Sequence, residues 1–360
     1  MSLTEQLTAQ IDAAIASGRE EGVQLCIYHA GHMIVDITRG YRDEFGTALS
    51  PDDLILVWST SKGITATAMH LLAERNLINY DDAIAYYWPA FARHGKSAVS
   101  IRHLMSHTAG FPQLPEGISL ETQADVAAMC EIVAALPLQS RPGQVPAYHG
   151  FTYGWPLGKI IEVVDGRPFA QFVQDEICTP LDIHDLFFGV PAQRAHHRTR
   201  LSHDLGNDVI AIHGSDPTLF ANHDGIQTGV YPAANMMANA RAIAKVYASL
   251  VGHGVGGTRL LSPRRVDMAT KVQRWAHDET LQSERGFGLG YFLGEIITRY
   301  QQRDDVFGHE GYGGAVGLAD PRYNIAFGLT KTRMTLRPNA TMLSAELMRT
   351  VHAHFNMYNS

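Results

Sequence analysis

Ser59-Thr60-Ser61-Lys62 is the stretch on which the reading of this chain turns, because it is the one place where a serine stands three residues ahead of a lysine. On a helical turn, positions i and i+3 share a face with Cβ atoms about 5–6 Å apart, so the hydroxyl and the amine meet. A nucleophile then stands beside a base. The residues that follow, Gly63-Ile64-Thr65-Ala66-Thr67-Ala68-Met69-His70-Leu71-Leu72-Ala73-Glu74, predict a helix with Ile64, Ala68, Leu71 and Leu72 on one apolar stripe. This puts Ser59 at a buried helix start. Unpaired backbone N–H groups and the positive end of the helix dipole favour a serine alkoxide there, while the same field and burial disfavour an ammonium on Lys62. Lysine suits the role of base because its amine responds to burial, whereas arginine stays protonated.

Around this motif the chain is ordinary in composition: 360 residues, 45% hydrophobic and 18% charged, enough for a sizeable core and for two domains. A net charge of −7 without any Lys/Arg run argues against nucleic acid and anionic membrane as partners. Cys26, Cys130 and Cys178 are far apart and lack C-x-x-C spacing, so they read as reduced, buried thiols of a reducing compartment. The start, Met1 to Leu7, has no basic n-region or apolar h-region, which predicts a cytoplasmic protein, and no apolar run approaches spanning length.

The two ends of the chain share a pattern. Leu3, Leu7, Ile11 and Ile15 recur every fourth residue, as do Leu343, Leu347, Val351 and Phe355, predicting a first and a last helix. Strands are expected at 23–29 and 32–39, joined at Ala30-Gly31, and again at 287–293, 306–309, 315–319 and 325–330. Paired into one antiparallel sheet with the terminal helices on a face, they give an α+β architecture. Residues 1–75 and 236–360 would form this sheet domain, and the helical, loop-rich stretch 76–235 an inserted second domain.

With strand, helix and Ser59-x-x-Lys62 in this order, the chain resembles the serine β-lactamase and penicillin-binding-protein superfamily, whose fold is the β-lactamase/DD-peptidase-like one. Tyr87-Trp88-Pro89-Ala90-Phe91 agrees, and Ile101-Arg102-His103-Leu104-Met105-Ser106-His107-Thr108-Ala109-Gly110 is similar to the family's LLSHTSG stretch. Within the superfamily it looks most like the class C β-lactamase-like family VIII carboxylesterases and related acyltransferases. The resemblance implies an active site in the groove between sheet and helices. It also implies a catalytic tyrosine in a Y-x-N motif, here Tyr148-His149-Gly150, with Tyr148 sharing a proton with Ser59 and Lys62. The asparagine that holds a substrate amide in β-lactam and peptide enzymes is replaced by Gly150, which favours esters. In place of the family's Lys-Thr-Gly the chain offers His309-Glu310-Gly311, followed by Tyr312, whose N–H together with that of Ser59 would form the oxyanion hole while His309 orients the site. Tyr153 and Trp155, with Gly150, are expected to line the substrate groove.

Other signals carry less. His103 and His107 stand at i and i+4, but no glutamate follows His103, so no zinc motif results and no metal is expected. His196, His197, His203, His213 and His223, interspersed with Asp204, Asp208, Asp216 and Asp224, show no ligand spacing and read as a solvated loop. Lys331-Thr332-Arg333 lacks the glycine of the family motif. There is no G-x-S-x-G, no P-loop and no dinucleotide fingerprint, so neither an α/β-hydrolase nor nucleotide chemistry is supported. The expectation is a cofactor-free serine hydrolase cleaving a small-molecule carboxylic ester through an acyl-enzyme on Ser59. The alternatives are an acyltransferase, a β-lactamase or D-amino-acid peptidase, and a non-catalytic scaffold. The oligomeric state is left open.

Overall fold

A computed structural model describes residues 1–205, 216–294, 305–337 and 340–355. The repeat of Leu3, Leu7 and Ile11 becomes helix α1 (Leu3–Ala16), opened by a capping box in which Ser2 and Glu5 satisfy each other's backbone N–H. Strands β1 (Gly22–His29) and β2 (His32–Gly40) form a hairpin. Its two turn residues, Ala30 and Gly31, both sit at positive φ, matching the right-handed twist of the strands. Helices α2 (Ser61–Glu74), α3 (Gly154–Asp165) and α4 (Ala240–Ala248) follow. The C-terminal third supplies β3 (Arg274–Asp278), β4 (Ser283–Phe287), β5 (Phe292–Leu293), β6 (Phe307–Glu310), β7 (Val316–Asp320), β8 (Ile325–Lys331) and helix α5 (Leu343–His354).

The eight strands make one antiparallel sheet in the order β2-β1-β8-β7-β6-β5-β4-β3. The two ends of the chain meet one strand in from its β2 edge, with Val23 opposite Lys331 and His29 opposite Ile325. On one face α1 and α5 bury Leu7, Ile11, Leu347 and Val351 against Leu25, Ile27, Leu318 and Phe327. Each such side chain contributes about 1.5–3 kcal/mol by leaving water. On the other face α4 presses so closely that a Cβ at Gly328 would stand 2.3 Å from the Ala240 carbonyl oxygen. A second core spreads from this face through α2 into the helices of residues 76–235. Among the described residues that segment adds no strand to the large sheet; its Leu186–Phe187 pairs instead with Met237–Ala238, which pairs in turn with Ile55–Leu56.

Two expectations are corrected. Helix α2 is not amphipathic: Ser61 through Ala73 are all buried, and its polar side chains are paired inside. Thr65 donates to the Pro232 carbonyl at 2.6 Å, and His70 Nδ1 and Nε2 meet Tyr80 Oη at 2.7 Å and the Leu289 carbonyl at 2.9 Å. Likewise the 287–293 stretch is not one strand. Gly290 turns at φ 81°, the Leu289 and Gly290 N–H groups leave the ladder for the Ala269 and Met105 carbonyls, and β4 and β5 result.

Candidate active site

Trp58–Thr60 form one 3-10 turn, so Ser59 stands just ahead of α2 rather than within its first turn. The i, i+3 relation survives, and Lys62 Nζ lies 2.9 Å from Ser59 Oγ. Ser59 is half-buried between buried neighbours. Its neighbour Ser61 is committed elsewhere: that hydroxyl donates to the Trp58 carbonyl and accepts the Met236 N–H at 3.0 Å.

Lys62 is wholly buried. Among the described residues its amine is hydrogen-bonded, besides Ser59, to carbonyl oxygens alone, Gly150 at 2.6 Å and Ala233 at 3.0 Å. Among the described residues no carboxylate pairs with it, and burial alone holds its pKa well below the ordinary lysine value. The amine also sits 5.0 Å from the centre of the Tyr148 ring.

Tyr148 reaches the same point from the loop ahead of α3, its phenol close enough to Ser59 for the hydroxyl to bear on its pKa. Burial pushes the phenol pKa up; the Ser59 hydroxyl opposes this, and the Glu310 and Asp278 carboxylates add to it. Three consecutive backbone N–H groups anchor this loop. Ala147 donates to the His107 carbonyl at 2.9 Å, Tyr148 to Asp278 Oδ1 at 3.1 Å, and His149 to His107 Nδ1 at 3.0 Å. His149 is fixed in turn, its Nδ1 on the Ala147 carbonyl and its Nε2 accepting from Phe111 N–H. Burial lowers the His149 pKa to about 3 and holds His107 well below the usual histidine range.

From the sheet side, His309 on β6 stacks on Phe292 at 4.2 Å between ring centres and lies 6.0 Å from the Tyr148 ring. Its Nδ1 faces the Glu310 carbonyl at 2.8 Å, and Nε2 has no partner among the described residues. Burial keeps this imidazole well below its usual range. Gly311 is required by close approach: a Cβ there would stand 2.2 Å from the Val57 carbonyl oxygen. That approach brings the 311–312 backbone to the turn bearing Ser59. The Ser59 N–H lies in a first turn, where backbone donors lack intrahelical acceptors, and the Tyr312 N–H is likewise spent on no described backbone acceptor. The Tyr312 ring meets Trp58 edge-on at 5.6 Å.

The pocket residues need correction. Tyr153 and Trp155 are 0% and 1% exposed, so they do not line a groove. Helix α3 packs so tightly, with a Cβ at Gly154 only 2.4 Å from the Ala233 nitrogen, that both rings turn inward. Tyr153 stacks on His107 at 5.3 Å and Trp155 lies on Tyr231 at 4.0 Å. An aromatic wall adjoins Ser59 through its chain neighbour Trp58: the buried Phe220 stacks on Trp58 at 5.0 Å and lies 5.7 Å from Phe151, Tyr312 meets Trp58 edge-on, and the half-buried Phe151 and Tyr312 are its open part. Phe151 and Phe220 have no signature in the sequence. Gly150 serves through its carbonyl, and its φ is not in the left-handed region.

The histidine signals disperse. His103 closes the capping box of its own helix. His203 meets Asp216 at 3.4 Å, His223 meets Glu121 at 3.5 Å and His197 meets Asp53 at 3.7 Å, while Asp208 and His213 lie outside the described residues. Among the described residues no cluster of histidine, cysteine or carboxylate side chains could hold a metal ion. Cys26 and Cys178 are buried thiols, whereas Cys130 is only half-buried. No described helix is long and apolar enough to cross a membrane.

A family model described as Beta-lactamase matches residues 7–347. The chain is 31% identical to Esterase/beta-lactamase LipL of Mycobacterium tuberculosis (strain ATCC 25618 / H37Rv), over 93% of this chain and 80% of the relative. It is 27% identical to a Putative D-alanyl-D-alanine carboxypeptidase of Escherichia coli (strain K12), over 78% of this chain and 72% of the relative. Among solved structures, a family VIII carboxylesterase superposes with a TM-score of 0.90 at 26% identity, covering 98% of both chains. A penicillin-binding-protein homologue from Caulobacter crescentus superposes with a TM-score of 0.86, also at 26% identity and 98% of both chains.

Proposed function

The chain belongs to the beta-lactamase family and is a serine hydrolase of the esterase/beta-lactamase type, and from that premise we propose that it cleaves carboxylic esters through an acyl-enzyme on Ser59. The observation that carries this reading is the surroundings of Lys62. A neutral amine has two N–H bonds and one lone pair. With the Gly150 and Ala233 carbonyls taking the two N–H bonds, the lone pair is left for the Ser59 hydroxyl. Burial without a carboxylate partner favours that neutral form.

In this reading Lys62 takes the Ser59 proton as Oγ adds to the ester carbonyl, and the N–H groups of Ser59 and Tyr312 hold the oxyanion. Tyr148, a neutral phenol beside Ser59, donates a proton to the departing alkoxide and regains one from Lys62; water then releases the acid by the reverse path. His309, neutral on the far side of Tyr148, orients the phenol, and no cofactor takes part. Esters are favoured over amides because Gly150 offers no side chain to grip an amide, and names such as esterase and carboxylesterase among the relatives support this. The name Esterase/beta-lactamase supports, as a second reading, slow β-lactam turnover by the same site.

The test is a panel of p-nitrophenyl esters of increasing length beside nitrocefin and a D-alanyl peptide, run on the wild type and on Ser59→Ala. The ester reading expects short esters to be turned over fastest and Ser59→Ala to lose activity by roughly 10⁴-fold or more. Efficient nitrocefin turnover with poor ester hydrolysis would overturn it. Adding an alcohol acceptor and following transesterification separates hydrolase from acyltransferase.

A further inference from the structure

The β3–β4 hairpin at the edge of the large sheet does more than end the ladder. It lies along residues 143–148, the segment that delivers Tyr148, and four hydrogen bonds join the two. Arg274 donates to the Gly143 carbonyl at 2.9 Å and the Gln144 carbonyl at 3.5 Å, Glu279 N–H donates to the Pro146 carbonyl at 3.0 Å, and Tyr148 N–H donates to Asp278 Oδ1 at 3.1 Å. Asp278 is the centre of this clasp. It is fully buried at the end of β3, where Oδ1 also accepts the Thr280 and Leu281 N–H groups at 2.9 and 2.8 Å, and Oδ2 has no partner among the described residues. A buried carboxylate with one oxygen unmatched costs stability wherever apolar or amide residues would pack. A hairpin turn can be closed by a serine or an asparagine without that cost. What the carboxylate adds here is a grip on the Tyr148 backbone from the sheet edge.

We propose that Asp278 is a positioning residue for the reaction, holding the Tyr148 backbone from the sheet edge so that the phenol meets Ser59. This rests on the reading of Ser59 as nucleophile and Tyr148 as its proton partner. Its consequence is that the hairpin acts on catalysis only through Tyr148. Loss of Asp278 should lower kcat and leave KM nearly unchanged, because none of its atoms lines the groove where substrate binds.

The experiment is a double-mutant cycle on the full-length protein with Asp278→Ala and Tyr148→Phe, with Asp278→Asn as the conservative variant, followed by ester turnover and by the rate of Ser59 labelling with a fluorophosphonate. Asp278→Ala in the wild-type background should lower kcat and the labelling rate by about tenfold or more, and Asp278→Asn, which keeps an oxygen acceptor, should recover all but about threefold. In the Tyr148→Phe background the same Asp278→Ala change should add less than about twofold. If Asp278→Ala does not fold, Asp278→Ser, whose hydroxyl still closes the turn but falls short of Tyr148, takes its place with the same expectation. An equal loss in both backgrounds, or a folded Asp278→Ala or Asp278→Ser variant with near wild-type kcat, would overturn the proposal. A wild-type protein that fails to label at Ser59 would instead sink the acyl-enzyme reading on which it rests.

Discussion

Lys62 and Lys331 are both buried lysines, yet their surroundings are opposites. Lys331 ends β8 with its amine 2.5 Å from Glu20 Oε1 and 2.6 Å from Thr335 Oγ1, and both partners of the ion pair are almost entirely shielded from water. Burial drives Lys331 down and Glu20 up, and each charge opposes the other's shift. Beside it Arg333 pairs with Glu21 at 2.7 Å, so Lys331-Thr332-Arg333 is a clamp on the start of β1. Lys62 has carbonyls and a hydroxyl around it and, among the described residues, no anion. Burying an amine with a carboxylate gives a structural tie; Lys96, buried among the Arg93, Ala134 and Leu136 carbonyls, is tied by backbone alone, and what sets Lys62 apart is the serine hydroxyl beside its amine. The neighbours of a lysine, more than its burial, decide whether it serves stability or chemistry.

The largest expected effect follows from crossing the two sites. Lys62→Met should lower kcat by about 10³-fold, within the range removal of a general base produces, while the protein stays folded. Lys331→Met should leave kcat of the folded protein within about twofold yet cost about 3–5 kcal/mol in a urea melt, because Glu20 is left charged and unpaired inside. The double change Lys331→Met with Glu20→Leu should recover most of that loss. A catalytic defect from Lys331→Met of the size seen for Lys62→Met would erase the distinction.

Proton linkage sharpens the same contrast. Because the folded Lys62 pKa lies below that of the unfolded chain, roughly 10.4, the unfolded state binds more protons between the two values, and stability rises with pH across that window. Wild type should therefore gain stability relative to Lys62→Met as pH rises toward that value, as urea melts at several pH values would record; a constant difference would mean that Lys62 is charged in the fold.

Around the site, His70, His107, His149 and His309 are all held below the usual histidine range by burial, His70 and His149 to about 3. Depressed folded values mean that stability present above the unfolded value of roughly 6.5 is lost as pH falls, by up to about 1.4 kcal/mol per pH unit for each histidine that must charge. Urea melts from pH 7.5 to 5 should show that steep loss, and a flat profile would mean that these rings accept protons in place.

The smallest expected effect concerns the residue after the tyrosine motif. A Cβ at Gly150 would meet only the Tyr148 ring at 3.7 Å, and the backbone there carries no positive φ that glycine alone could adopt. Gly150→Asn should fit, and should shift the ratio of kcat/KM for amide-bearing substrates over esters by about 1–3 kcal/mol at most, the worth of one hydrogen bond. No shift would mean that ester preference is set by the aromatic wall of Trp58, Phe151, Phe220 and Tyr312.

What the sequence reveals follows from range. Ser59 and Lys62 are legible because one helical turn fixes their distance, and the terminal helices because leucines and isoleucines repeat every fourth residue. The β1–β2 hairpin is legible because Ala30-Gly31 can turn tightly. The break inside 287–293 depends on carbonyls of Met105 and Ala269, far away in the chain, and no local pattern announces it. Tyr153 and Trp155 read as groove residues because aromatics suit both cores and pockets; only the packing of α3 against Pro232 and Ala233 turns them inward. His107 and Asp278, which hold the tyrosine loop, are single polar residues 42 and 130 positions from the backbone groups they bind. Such partnerships exist only once the chain is folded.

The central claim is that Ser59 is the nucleophile and that its neighbour Ser61, tied to Trp58 and Met236, is not. Peptide mass spectrometry after a rapid quench with a slowly deacylating p-nitrophenyl ester tests it most directly. The account predicts an acyl group on the Ser59 hydroxyl, absent from Ser59→Ala and reduced in Lys62→Met. An acyl group on Ser61, or ester turnover with no covalent adduct in a Ser59→Ala protein, would contradict it.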